Sequence, residues 1–159
     1  MREELLSYVW QYQKFPTSIK TTKGEWVKVV APGLLNTLAG PDFFNARIII
    51  GGQQWAGNVE IHVKASDWYQ HHHESDKNYN NVILHVVWED DIAIFRKDNT
   101  EIPTLELNQY VSQDLLDSYK ELIQHTPTRF ISCEKDIIAF PEIHWKFWEE
   151  RLYIERLEQ

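Results

Sequence analysis

Pro41-Asp42 and Glu60-Ile61-His62-Val63-Lys64 are the stretches of this 159-residue chain whose residue types and spacing carry the most chemistry. Gly51-Gly52-Gln53-Gln54 lies between them and reads as a hairpin turn. A turn centred near Gly51 sets Asp42 opposite residues 60–62. Two carboxylates converging across a strand pair, with His62 and Lys64 on the face of Glu60, make a hard-cation site for Mg²⁺ or Mn²⁺. Such an ion polarises a phosphoryl oxygen and supplies hydroxide as nucleophile. On this reading Asp42, Glu60 and His62 hold the metal, Lys64 joins them in catalysis, and Arg47 steadies the substrate phosphate. One detail of strand phase opposes it. Phe44, Ala46, Ile48 and Ile50 share a core-facing side, and strict alternation sends Asp42 there with them. A bulge near the start of the strand would be needed to return Asp42 to the face of Glu60.

The histidines form a competing constellation. His62 and His85 both lie in strand-like segments that could run side by side, and His71-His72-His73 follow in a polar stretch. With Asp67 or Asp76, His62 and His85 could form a zinc or iron site of the His/carboxylate type. Ordinary structural roles are open as well. Asp42 can cap a turn, Glu60 can pair with Arg47 or Lys64, His85 can be a hydrogen-bonded core histidine, and the triple histidine can be an exposed loop.

These residues must be positioned by the following elements. Leu5, Leu6, Val9 and Trp10 at helical spacing predict a helix over 3–13. Short strands are expected near 18–22 and at 26–31, then a ten-residue apolar, Gly/Pro-containing loop from Pro32 to Pro41. Strands at 42–50 and 55–64 form the hairpin. Residues 65–79 read as a loop or helical turn, and 82–88 as a buried central strand broken only by His85. Strands are expected again at 92–96 and 102–107, and an amphipathic helix at 111–124. The fold class is therefore α+β, a mixed and mostly antiparallel central sheet flanked by helices, over residues 1–125. Residues 126–159 read as a docking segment and a helix rich in Trp145, Phe147 and Trp148, leading into a region absent from this chain.

Composition limits the functional classes. There are 16 Lys+Arg against 24 Asp+Glu, a net charge of −8, which excludes a simple strongly basic nucleic-acid binder. The charge is uneven: residues 1–64 carry seven basic and five acidic side chains, so any polyanion contact is expected through the first half. The single cysteine, Cys133, rules out an internal disulfide framework and a cysteine zinc cluster. No P-loop or GxGxxG is present, and no long apolar run suggests a signal peptide or membrane span. A cytoplasmic protein is expected.

Two resemblances follow from the quoted residues. Pro41-Asp42 followed by Glu60 on a strand resembles the PD-(D/E)xK nuclease superfamily, and the order of elements over residues 1–107 is similar. The resemblance implies a metal-dependent phosphodiesterase, active or degenerate, with Asp42 and Glu60 as ligands. His62 stands where that motif has lysine, and Lys64 lies one same-face step further on. Over the whole chain, Gly40-Pro41-Asp42-Phe43-Phe44-Asn45-Ala46-Arg47, Trp55 to His62, Ser66-Asp67-Trp68 and Val82 to Val87 resemble an uncharacterised bacterial domain-of-unknown-function family. Its members are longer, which implies that this chain is the first part of a larger protein. The alternative to catalysis is a scaffold or interaction module, in which Trp145, Phe147 and Trp148 bury against a missing region or a second copy.

Overall fold

The apolar spacing of Leu5, Leu6, Val9 and Trp10 produces helix α1 (Glu3–Gln11), and all four side chains are buried. A fully buried side chain of this size contributes about 1.5–3 kcal/mol. The computed structural model describes residues 2–124 and 141–157. Within it the chain divides into two units, Met1–Tyr119 and Lys120–Gln159.

The first unit is built on one sheet of seven strands: β1 (Ile19–Lys20), β2 (Trp26–Ala31), β3 (Leu34–Leu35), β4 (Phe43–Ile50), β5 (Gln53–Lys64), β6 (Val82–Glu89) and β7 (Thr104–Glu106). Their order is β1-β2-β4-β5-β6-β7, with β3 also paired to β4. The pairs β1–β2, β2–β4, β3–β4 and β4–β5 are antiparallel, while β5–β6 and β6–β7 are parallel. The fold is thus α+β with a mixed, mostly antiparallel sheet, as the sequence predicts. Helix α2 (Asp67–Gln70) and a 3₁₀ turn (Lys77–Tyr79) occupy the crossover between parallel strands β5 and β6. Such a crossover needs a dozen or more residues, and here it carries the three consecutive histidines.

The apolar run of β6 is explained by burial on both sides. Leu84 and Val86 join a core with α1, Phe43, Ile48, Val59 and Ile61, against which Leu115, Leu116 and Tyr119 of α3 (Gln113–Gln124) pack. Val87 joins a second cluster with Trp68, Tyr79, Ile94 and Ile102.

The expected strand at 92–96 does not form. Ile94 O and Arg96 N keep backbone partners in Ile102 N and Thr100 O, but the groups between them go to side chains: Trp68 Nε1 donates to Phe95 O, Tyr69 Oη donates to Ala93 O, and Phe95 N donates to Tyr69 Oη. A single bridge, Phe95 to Glu101, remains. The loop after Pro32 also differs, because Leu34 and Leu35 pair with Phe44 and Phe43.

In the second unit, α4 (Glu142–Leu157) is a 16-residue helix, with Phe147 63% and Trp148 57% exposed. The rest of the expected docking segment, including Cys133, lies outside the described residues. No described helix is long and apolar enough to cross a membrane.

Candidate metal centre

The site begins with a bulge. Phe43 pairs with Val59, but Ala46 pairs with Gly57, so Phe44 and Asn45 together face Asn58. Asn45 takes a left-handed φ of 57°, which asparagine tolerates better than most side chains. The extra residue resets the strand phase. Phe43 and Ala46 both enter the core, and Asp42 moves to the face of Glu60. Asp42 N then donates to Glu60 Oε2 at 3.2 Å, and Ile61 N donates to Asp42 Oδ2 at 2.9 Å.

With Oε2 engaged by the Asp42 backbone, Glu60 Oε1 faces the histidines. It lies 3.5 Å from His62 Nε2 and 3.4 Å from His73 Nε2. His62 Nε2 is 3.1 Å from His71 Nδ1. One donor atom from each of His62, His71 and His73 lies within 4.8 Å of the others, a group that could hold a metal ion. Donors around a tetrahedral ion with bonds of about 2.0–2.1 Å stand roughly 3.3 Å apart. The separations of 3.1, 3.4 and 3.5 Å, three of the six edges, are close to that value. His73 Nε2 is buried and makes no hydrogen bond among the described residues, its carboxyl neighbour being Glu60 Oε1 at 3.4 Å.

His71 and His73 are brought together by the end of α2. His73 N donates to Trp68 O and His72 N to Tyr69 O, the paired bonds of a Schellman motif. That motif requires a left-handed residue, and His72 supplies it with a φ of 59°. His72 itself is turned out to solvent, with its side chain 81% exposed. The ring of His73 stacks on Tyr79 at 3.7 Å between centroids, which fixes its plane. The triple histidine is therefore more than an exposed loop, since its third member is buried.

The donors open onto a cleft of about 460 Å³, lined also by Glu3, the Leu38–Gly40 loop, Asp76 and Asn78. No lysine or arginine is among its described lining residues. Burial, then the neighbouring Glu60 charge, pushes the Asp42 carboxyl up to about 7. Burial pushes Glu60 up to about 8, against the lowering effect of the Asp42 N–H. Burial and the surrounding imidazoles push His62 down to about 2. His73 is lowered by burial, and His85 falls to about 3 for the same reason. Without a cation the pocket is assembled from groups held neutral. A divalent ion would reverse that preference for the carboxyls and claim the histidine lone pairs.

Of the residues singled out from sequence, the structure brings together Asp42, Glu60 and His62, with His85 behind them at 2.8 Å from His62 Nδ1. Lys64 is half-exposed and ion-paired with Glu89 at 3.6 Å. Arg47 is exposed, opposite Ala56. Asp67 accepts from Lys64 N and Gln70 Nε2, so it serves the start of α2. Asp76 caps the 3₁₀ turn through Asn78 N and also borders the cleft. Sequence reasoning did not place His71 and His73 in the ligand set, nor Tyr79 and Glu3 at the site. For His71 and His73 the left-handed turn at His72 is the reason, because no glycine marks it.

No curated protein and no solved structure matches this chain. A family profile described as "Protein of unknown function (DUF2851)" matches residues 3–159. With nearly the whole chain covered, the protein belongs to the DUF2851 family.

Proposed function

We propose that this domain is a metal-dependent hydrolase whose ion is held by His62, His71, His73 and Glu60, with phosphodiesters as its substrate class. The observation that carries the reading is the convergence of three imidazole nitrogens, within 4.8 Å of one another, with one carboxylate oxygen 3.4–3.5 Å from two of the histidines, on an open cleft. A donor set of three nitrogens and one oxygen suits zinc or iron better than Mg²⁺, which prefers oxygen ligands throughout. The ion would polarise the phosphoryl oxygen and lower the pKa of bound water. Asp42, beside the donors with one oxygen tied to Ile61 N, is placed to take the proton from that water. The phosphodiester class draws its support from Asp42 immediately before β4 and Glu60 on its antiparallel partner β5, followed by the parallel β6, an order similar to that of the nuclease motif.

The test uses chain purified without a histidine tag. Metal content by mass spectrometry and hydrolysis of bis-p-nitrophenyl phosphate are compared with those of His62→Ala and Glu60→Gln. Stoichiometric zinc or iron in the wild type, with activity lost in both variants, is the expected result. No metal uptake overturns the centre. Metal uptake without phosphodiester hydrolysis overturns the substrate class alone. A second reading, an interaction module, draws on the exposed Phe147 and Trp148 of α4. Light scattering at increasing concentration tests it, and a strict monomer counts against self-association.

A further inference from the structure

We infer that His85 is a positioning residue of this centre: its Nε2 accepts the Nδ1–H of His62 and so leaves His62 Nε2 free to bind the ion. This deepens the metal-centre reading and rests on it. β5 and β6 run parallel with Glu60 beside His85 and His62 beside Val87, so two histidines from adjacent strands share one face. Their rings meet edge to face at 5.0 Å, with Nδ1 of His62 and Nε2 of His85 2.8 Å apart. His85 is wholly buried, and Trp68 lies against it at 5.8 Å between ring centroids.

A neutral imidazole binds metal through the nitrogen that carries no proton. If the proton sat on His62 Nε2, it would point at His71 Nδ1, 3.1 Å away, and both nitrogens would be lost as ligands. The opposite tautomer requires an acceptor at Nδ1, and His85 Nε2 stands at that point. Ligating histidines usually donate their second N–H to a carboxylate or a carbonyl. Here the acceptor is a neutral ring whose own Nδ1 has no partner among the described residues. It pushes less electron density toward the ion than a carboxylate would, so more positive charge remains to act on a bound water.

The experiment titrates untagged, metal-free protein with Co²⁺ and follows its visible absorption in wild type, His85→Phe and His85→Gln. Glutamine offers Oε1 to the same N–H, whereas phenylalanine offers nothing. The expected result is a roughly 10- to 100-fold weaker Co²⁺ affinity and an altered band in His85→Phe, largely recovered in His85→Gln. Wild-type affinity and spectrum in His85→Phe overturn the inference while leaving the centre intact, as does a glutamine variant no better than phenylalanine. A wild type that takes up no Co²⁺ overturns the centre and the role of His85 with it. Should the phenylalanine variant fail to fold, long-range ¹H–¹⁵N correlations of the zinc-loaded wild type decide instead. A proton on His62 Nδ1 is expected, and one on Nε2 overturns the inference.

Discussion

Asp42 and Glu60 hold each other in place through the backbone of the strand pair. The Asp42 N–H fixes Glu60 Oε2 at 3.2 Å, and the N–H of Ile61, next to Glu60, fixes Asp42 Oδ2 at 2.9 Å. Each carboxylate therefore has one oxygen committed to the fold. For Glu60 the other oxygen faces His62 and His73.

This arrangement predicts unequal effects of two conservative substitutions. In Glu60→Gln the amide oxygen takes over the bond from Asp42 N, and the NH₂ group then points at His62 and His73, repelling a cation. Metal retention should be lost. Asp42→Asn can still accept from Ile61 N, so metal affinity should fall by no more than roughly tenfold, with hydrolysis abolished. Equilibrium dialysis against Zn²⁺ separates the two, and equal losses would contradict the assignment of Glu60 as the ligand.

His72 lies between two proposed ligands yet points away from them. Its left-handed conformation costs about 1–2 kcal/mol for a residue with a Cβ, and glycine avoids that cost at the expense of greater freedom in the unfolded chain. His72→Gly should therefore raise stability slightly, by about 0.5–1 kcal/mol, and leave metal binding unchanged. Denaturant titration and Co²⁺ binding measured on the same sample check both halves. A large loss of binding would make His72 a ligand after all.

The raised carboxyls give the metal-free protein a definite pH dependence. Asp42 and Glu60 titrate near 7 and 8 in the folded chain, against ordinary values of 3.8 and 4.5. The folded state thus keeps protons that the unfolded state has released, and stability falls as pH rises through this range. The lowered histidines act in the opposite sense: their contribution is complete above 6.5 and is lost as pH falls below it. Glu3 from α1, His71 and His73 from the end of α2, and Asp76 and Tyr79 from the 3₁₀ turn also border this pocket. Between pH 6.5 and about 8 the carboxyls should dominate. Thermal melts in EDTA should therefore show a falling Tm over that window, flattened in Asp42→Asn and Glu60→Gln. Added Zn²⁺ should release protons and stabilise more as pH rises. A Tm that rises in EDTA over the same window would contradict the raised carboxyls.

How much of this was readable in the chain depends on the scale of the signal. That Asp42 comes opposite the 60–62 stretch was legible because a turn near Gly51 bounds the register, but the Gly51-Gly52 turn alone sets Asp42 against Ile61 and the bulge shifts it to Glu60. The buried β6 was legible because an unbroken apolar run has few other uses. The direction of Asp42 was not, since a bulge at Phe44-Asn45 inverts the phase and only the tolerance of Asn45 for a left-handed φ hints at it. His71 and His73 were hidden for a related reason, a left-handed residue where no glycine marks the turn. The failed strand at 92–96 had the right residues. The backbone groups of Ala93 and Phe95 were taken by Trp68 and Tyr69, which lie far away in sequence.

Gly57 links this local geometry to the stability of the whole sheet. A Cβ built there would meet Ile83 Cγ2 at 2.4 Å and the Asn81 carbonyl oxygen at 2.6 Å. A side chain such as Ile83 can turn aside, but a backbone carbonyl that accepts from Asn58 N cannot move without its strand. Gly57→Ala should therefore push the start of β6 away from β5 and cost about 1–3 kcal/mol as overpacking. The displacement would be felt three residues on, where Glu60 lies beside His85. Metal affinity should weaken together with stability, although no ligand has been touched. Gly52→Ala is the control, because its φ of 88° strains the turn while nothing lies within 4 Å of the added methyl. It should lower stability and leave metal affinity intact. Paired denaturation and Co²⁺ titrations of the two variants separate a cost in the turn from a shift between the two strands, and equal metal affinities would show that the β5–β6 spacing does not govern the centre.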